Sequence, residues 1–375
     1  MKVAVPKELK NHEFRVALTP AGAHEFVVHG HEVIVQRNAG AGSSIPDEAY
    51  VAAGARIVAD AAEAWAEGDL ILKVKEPIAS EYALLRPGQT LFTYLHLAAS
   101  RECTEALIAT GVDSVAYEMV EAGDGSLPLL APMSEVAGCL APQVGAHHLM
   151  AGDGGRGVLL GGVAGVRAAN VLVLGAGVSG MHAARVASGM QARVVLMDKN
   201  IEKLRAADQH FRGAVETVIS NAYEVDQAVR TADLVIGAVL VPGAKAPRLI
   251  SNEQVAGMLP GSVLVDIAID QGGCFEDSRP TSHDDPTYKV HGSLFYCVAN
   301  MPGAVPHTST YALTNATLPY ALTLANQGLK KTVSDDPNFA AAVCTVGGSL
   351  VPQQIAEAHG MSHVPIARAL AGAGS

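Results

Sequence analysis

The stretch Val171-Leu-Val-Leu-Gly175-Ala-Gly177-Val-Ser-Gly180 decides how the chain is to be read. An apolar, strand-like run meets three glycines spaced G-x-G-x-x-G, and a helical pattern from Val178 to Met190 follows. Gly175 permits the tight turn, and Gly177 lets a pyrophosphate approach the backbone. Gly180 allows the helix to pack closely on the strand. The helix N-terminus, entered through Val178 and Ser179, offers amide donors and the positive end of its dipole. A chain with 38 glycines in 375 residues produces such spacings by chance, and a turn that binds nothing is the competing reading. The context favours the dinucleotide. Beyond the helix, Arg193-Val-Val-Leu-Met-Asp198 ends in an acid 18 residues after Gly180. A carboxylate there accepts hydrogen bonds from both ribose hydroxyls and repels a 2′-phosphate, so NAD is favoured over NADP. Gly40-Ala-Gly42 and Gly161-Gly162-Val-Ala-Gly165 lack this context and read as loops.

Outward from this motif, apolar runs alternate with Ala-rich helical segments almost throughout. Strands are expected at 2–5, 31–36, 69–74, 89–95 and 114–116, and again at 170–174, 193–197, 233–239 and 262–267. Helices are expected at 20–28, 101–109, 178–190, 201–209 and 221–230. This alternation implies βαβ units and parallel sheets covered by helices on both faces. Two Gly/Pro-punctuated seams, Gly123 to Ser134 and Asn300 to Thr310, each lead into a helix-like run. The expected organisation is a discontinuous substrate domain, residues 1–128 and 305–375, with a cofactor-binding domain at 129–304 inserted. Residues 330–375 read as helices without chemistry.

Composition narrows the classes of function. The net charge is −11, and no Lys/Arg block offers the footprint of a nucleic-acid binder. An apolar fraction of 49% excludes global disorder. Only 17% of residues are charged, against roughly 25% in an ordinary soluble protein, which hints that other subunits cover part of the surface. The five cysteines form no CxxC or Cys/His pattern, so neither a zinc site nor a disulfide framework is expected. Unpaired thiols and a polar start, MKVAVPKELKNHEFR, point to a cytoplasmic protein. The most apolar region, Gly157 to Val178, is broken by Arg167 and Asn170, so no membrane span is expected.

In open α/β sheets ligands sit beyond the carboxyl ends of the strands. Lys75 and His96 end strand-like runs, Asp270 follows one, and Arg15 lies in the loop after the first. Singly, each reads as a solvated or structural group. As a set, two cations, an imidazole and a carboxylate suit a small carboxylic acid undergoing hydride and proton transfer. Glu118 is a further acid without an evident partner. His147 and His148 are adjacent on a helical pattern, so they point about 100° apart and do not chelate together easily.

Several strings resemble the alanine dehydrogenase and nicotinamide nucleotide transhydrogenase family. They are Val5-Pro-Lys-Glu8, Arg15-Val-Ala-Leu-Thr-Pro20-Ala-Gly22, Lys73-Val-Lys75-Glu-Pro77 and Leu91-Phe-Thr-Tyr-Leu-His96-Leu-Ala-Ala-Ser100. Ala131-Pro-Met-Ser134-Glu135, Asp266-Ile-Ala-Ile-Asp270-Gln-Gly-Gly273 and Tyr296-Cys-Val-Ala-Asn300-Met301-Pro302 continue the likeness. The resemblance spans about residues 1–325. It implies two Rossmann-like domains flanking a cleft, a homo-oligomer that is typically a hexamer, and reversible NAD-dependent deamination of L-alanine to pyruvate and ammonium. In that reading Arg15 and Lys75 bind the substrate, and His96 is the general acid/base. Asp270 activates water or holds the intermediates. The resemblance places Ser134, Lys203, Ser220, Val239, Leu240, Ile267, Ala268, Ile269, Asp270 and Arg279 at the cofactor. Val298, Ala299, Asn300 and Met301 join them, with the turn residues and Asp198. Relatives that hold a divalent ion place a His where this chain has Gln327, near the acid at the Glu118 position, so no metal is carried over.

The residues support these roles by their chemistry. Hydride leaves the alanine Cα only as the nitrogen lone pair helps form an iminium, so the amine must be neutral. Arg15 and Lys75 disfavour a cationic ammonium, and Asp270 supplies an opposing charge. An imidazole, with an unperturbed pKa near 6.5, alternates between donor and acceptor. Two alternatives are the soluble hydride-transfer component of a transhydrogenase and a nucleotide-sensing module. Neither has a use for a carboxylate clamp.

Overall fold

In the computed structural model, which describes residues 1–239 and 246–372, strands and helices alternate along most of the chain. Six strands come first: β1 (Lys2–Val5), β2 (Glu32–Gln36), β3 (Arg56–Val58), β4 (Leu70–Leu72), β5 (Thr90–Thr93) and β6 (Asp113–Ala116). Seven follow: β7 (Asn170–Leu174), β8 (Arg193–Asp198), β9 (Glu216–Ile219), β10 (Leu234–Gly237), β11 (Val263–Asp266), β12 (Thr287–Val290) and β13 (Ser293–Tyr296). The hairpin β14 (Val343–Val346) and β15 (Ser349–Leu350) comes last. The chain divides into two compact units: Met1–Met133 with the described residues from Val305 onward, and Ser134–Ala304.

The first unit carries an eight-stranded sheet in the order β15-β14-β6-β5-β4-β1-β2-β3 among the described residues. From β3 to β6 it is parallel and doubly wound, with its switch point between β1 and β4. Its helices start where short polar side chains can accept amide protons. Thr19 caps Pro20–Val28, with Pro20 in the first turn, and Ser100 caps Arg101–Thr110. The core gathers Ile34, Trp65, Ile71, Leu91 and Leu107, all fully buried, each worth about 1.5–3 kcal/mol if aliphatic.

The second unit holds a seven-stranded sheet in the order β12-β13-β11-β10-β7-β8-β9. It is parallel except for β12, which runs antiparallel to β13. Here the order reverses between β7 and β10, where the Gly175 turn lies. Val171, Val173, Val235 and Leu264 are almost fully buried, as strands covered on both faces require.

Both sheets are therefore mixed at one edge, although the apolar runs suggested parallel strands only. The reading of residues 330–375 as helices alone is corrected as well. Val343-Cys-Thr-Val and Ser349-Leu form β14 and β15, and β14 pairs antiparallel with β6. Gly347 and Gly348 join them with φ of 51° and 83°, the positive-φ pair that a tight hairpin turn needs. The long helix Pro306–Asp335 is interrupted at Gly328, whose φ is 73°. No helix among the described residues is long and apolar enough to cross a membrane.

Candidate active site

Three of the four charged candidates stand on the carboxyl edge of the first sheet around its switch point. Arg15 lies in the loop after β1, Lys75 three residues beyond β4, and His96 three residues beyond β5. Arg15 is buried, only 2% exposed, and faces Glu13. Its Nε donates to Glu13 Oε1 at 2.6 Å and Nη2 to Oε2 at 2.5 Å, while Nη1 meets Met133 Sδ at 3.0 Å. Burial alone would raise the Glu13 pKa. The hydrogen bonds and charge of Arg15 outweigh it and hold the carboxyl below the usual range. The turn carrying Arg15 is braced by Gly42, where a Cβ would meet Phe14 Cβ at 2.7 Å. Ser43 Oγ also donates to the Phe14 carbonyl at 2.9 Å.

Lys75 is half-buried, and the acid that supports it is Glu8. Glu8 Oε1 accepts the Val74 amide at 2.6 Å and the Lys75 amide at 3.5 Å. Its other oxygen meets the buried Lys73 Nζ at 3.1 Å, and Glu81 meets Lys73 from another side at 2.9 Å. Burial pulls the Lys73 pKa down, but the two carboxylates more than reverse that and keep the ammonium charged.

His96 is the exposed member, with 44% of its side chain open, and adopts the left-handed conformation at φ 48°. For a residue with a Cβ this is uncommon and costs energy unless its surroundings hold it. Glu118 does so. One oxygen accepts the His96 amide at 2.6 Å, and both lie 3.2 Å from the Leu95 amide. The same carboxylate is 3.7 Å from His96 Nδ1. The imidazole stacks on Tyr94 with centroids 5.9 Å apart, and Tyr94 Oη is anchored on the Leu129 carbonyl at 2.5 Å.

In the second unit the glycine turn has the shape of a phosphate cradle. Gly175 has φ 105°, and a Cβ on Gly180 would fall 1.7 Å from the Gly175 carbonyl oxygen. A Cβ on Gly177 would meet nothing within 4 Å among the described residues, so this face of the turn is open to an approaching group. Gly177 caps Val178–Gly189 without any side-chain bond, leaving the amide end of the helix uncovered by a capping group. Asp198 ends β8 and accepts the Ala176 amide at 2.8 Å, which ties it to the turn. Ser220 donates its amide to the Asp198 carbonyl at 3.0 Å. These residues fit a dinucleotide: the Gly175–Gly180 turn excludes side chains where a pyrophosphate must approach.

The remaining candidates of this unit are spread along the same carboxyl edge. Val239 follows β10, and Leu240 lies outside the described residues. Ile267, Ala268, Ile269 and the exposed Asp270 form the turn after β11. That turn is organised by Asp266, fully buried, whose oxygens accept Ala268 N at 3.0 Å, Cys274 N at 2.8 Å and Ser278 Oγ at 2.5 Å. Burial raises the Asp266 pKa against these bonds. Val298, Ala299, Asn300 and Met301 follow β13, with Asn300 at φ 70°. The Arg279 guanidinium lies 4.0 Å over the Tyr288 ring. Ser134 stands early in the helix Ala131–His148, and Lys203 is exposed in the first turn of Ile201–Phe211. Asp270 thus belongs to one unit, and Arg15, Lys75 and His96 to the other.

Sequence reasoning gave no role to Glu8, Glu13 or Asp266, and left Glu118 without a partner. For Glu8 and Glu13 the available signal was an acid within two residues of a cation in a chain poor in charge, as in Lys7-Glu8 and Glu13-Phe-Arg15, whereas Asp266 and Glu118 have no charged residue so close.

The comparisons with known proteins agree on one family. The model for the alanine dehydrogenase/PNT N-terminal domain matches residues 4–137, and that for the C-terminal domain matches residues 141–353. An alanine dehydrogenase of Mycolicibacterium smegmatis is 60% identical over 95% of this chain and 96% of its own length. One from Mycobacterium tuberculosis is 59% identical over 99% of this chain and 100% of its own. A solved L-alanine dehydrogenase structure superposes with a TM-score of 0.93 at 49% identity, covering 96% of this chain and 99% of its own. A transhydrogenase structure from Sinorhizobium meliloti is more distant, with a TM-score of 0.80 and 26% identity over 94% of this chain and 99% of its own. With both domain models matched and such identity over nearly the whole length, the chain belongs to the alanine dehydrogenase/PNT family.

Proposed function

We propose that the chain is an NAD-dependent alanine dehydrogenase, converting L-alanine and water reversibly to pyruvate and ammonium. The observation that carries this reading is the placing of Arg15, Lys75 and His96 at the carboxyl ends of strands around one switch point, each braced by a buried or half-buried acid. That clamp suits a small 2-oxo or 2-amino acid. Residues 129–304 hold the cofactor and residues 1–128 with 305–375 the substrate. Asp198 selects NAD by engaging the ribose hydroxyls.

When bound, NAD supplies the acceptor for the hydride from the alanine Cα. Arg15, its plane fixed by Glu13, binds the substrate carboxylate. Lys75 binds the same carboxylate or polarises the carbonyl oxygen in the reverse direction. The cations favour the neutral amine, whose lone pair becomes the second bond of the iminium as hydride departs. Water then adds to the iminium carbon. His96 takes its proton, and the same imidazole returns a proton to nitrogen as the carbon–nitrogen bond of the carbinolamine breaks. The hydroxyl proton then leaves through the imidazole to the departing ammonia, giving the carbonyl and ammonium. Asp270 stabilises the cationic iminium and orients the water. A small apolar wall around the methyl group gives only modest selectivity, about 1–3 kcal/mol per methylene, so neighbouring 2-amino acids are poorer substrates rather than excluded ones.

The protein works in the cytoplasm as a homo-oligomer, by family resemblance a hexamer, which sedimentation would establish. The test of the activity is the absorbance of the reduced cofactor with L-alanine plus NAD, and then with pyruvate, ammonium and NADH. Turnover in both directions is expected. Its absence in both would overturn the proposal in favour of a cofactor-binding module.

A further inference from the structure

The helix Ala131–His148 ends in two histidines, and the turn Ala151–Asp153 brings an acid back to that end. We propose that His147, His148 and Asp153 form a binding site for one divalent transition-metal ion, with water completing its shell. One ligand atom from each lies within 4.8 Å of the others. His147 Nε2 and Asp153 Oδ2 are already 3.3 Å apart, about the edge of a tetrahedral site whose ligands stand roughly 2.0–2.2 Å from the ion. The His147 side chain is 60% exposed, so its ring turns freely to close the remaining distance.

A second observation points to a ligand. His148 is only 8% exposed, packs against the Tyr296 ring at 5.5 Å, and has no hydrogen-bond partner on Nδ1 among the described residues. A buried nitrogen of this kind carries a desolvation cost that a bound ion removes. The helix C-terminus adds its negative dipole end, which favours a cation. Adjacent helical residues diverge by about 100°, yet these rings converge edge to face with centroids 5.0 Å apart.

The ligand loop is held to the sheet. Arg156 N donates to the Gly261 carbonyl at 3.1 Å, Arg156 Nε pairs with Asp233 at 3.0 Å, and Gly157 N bonds Leu149 O at 2.8 Å. Asp233 and Gly261 precede β10 and β11, so this is the amino edge of the sheet, opposite the glycine turn. Here an ion fastens the end of the helix to the sheet and takes no part in hydride transfer. Two imidazoles and one carboxylate suit zinc and its neighbours rather than magnesium or calcium.

The test uses the untagged full chain stripped with chelator. Co²⁺ is titrated while its visible d–d absorption is followed, and Zn²⁺ by calorimetry. One ion per chain is expected, with Asp153→Asn and His147→Ala each weakening binding at least about tenfold. Zn²⁺ should raise the melting temperature of the wild type only. Absence of binding, or equal binding by wild type and both variants, overturns the site. Both substituted side chains are exposed, so a folding failure does not confuse the result.

Discussion

The carboxylate of Asp198 accepts the backbone amide of Ala176 at 2.8 Å, so the acid ending β8 is tied to the glycine turn that follows β7. Its second oxygen accepts the Asn200 amide, also at 2.8 Å. Asp198 is therefore held in a fixed position, the one from which it is proposed to meet the ribose. Asp198→Ala should lower kcat/KM with NAD at least about tenfold, the worth of a charged hydrogen bond, and lower it less with NADP. Equal losses with both cofactors would leave Asp198 only its tie to the turn.

The glycine turn makes a prediction that separates folding from binding. A Cβ at Gly180 collides with the Gly175 carbonyl, whereas a Cβ at Gly177 meets nothing within 4 Å among the described residues. Gly180→Ala should destabilise the second unit by about 1–3 kcal/mol, the cost of an overpacked contact. Gly177→Ala should melt as the wild type does, yet bind NADH weakly in a fluorescence titration. Normal NADH affinity in Gly177→Ala would remove the pyrophosphate from that face.

Glu118 acts on His96 through the backbone, so its removal should touch turnover before binding. Glu118→Ala frees the Leu95 and His96 amides from their acceptor. A fall in kcat of about tenfold or more is expected, since small misplacements of a catalytic group are costly, with NADH affinity unchanged. Glu118→Gln keeps an acceptor oxygen and should recover part of the loss. Turnover equal to wild type in Glu118→Ala would show that the His96 turn holds itself.

The Glu13–Arg15 pair predicts a pH dependence of stability. The folded pKa of Glu13 lies below its unfolded value, so its contribution is complete above about pH 4.5 and is lost as pH falls through the folded pKa. Glu13→Gln takes from the buried guanidinium the charge that Glu13 supplies, a cost of up to about 3–5 kcal/mol at neutral pH. Denaturant titrations should show that deficit shrink below pH 4.5, where the wild type also loses the charge. A deficit constant down to pH 3 would assign it to packing.

Much of the fold was legible because buried parallel strands are unbroken apolar runs, as in Val171-Leu-Val-Leu and Val263-Leu-Val-Asp. Strands β3, β9 and β12 escaped notice because they stand at sheet edges and mix polar residues with apolar ones, and the buried β13 escaped because it is only four residues long. The hairpin β14–β15 had a signal, Gly347-Gly348, but its strands are too short to stand out. At the site, strand ends pointed to Lys75, His96 and Asp270. Their supports did not show, because Glu8 meets Lys75 across 67 residues of sequence and Glu118 meets His96 across 22. Burial distinguishes such an acid from a solvated one, and burial is not written in composition.

The pairing of β14 with β6 has a consequence for synthesis on the ribosome. The hydroxyls of Ser114 and Thr345, 231 residues apart in sequence, share a hydrogen bond of 2.7 Å. Residues 134–304 emerge and can close their own sheet before β14 exists. Throughout that interval β6 has an unpaired edge, with donors and acceptors open to any passing strand. The last hairpin is thus the step that seals the nascent protein against joining its neighbours.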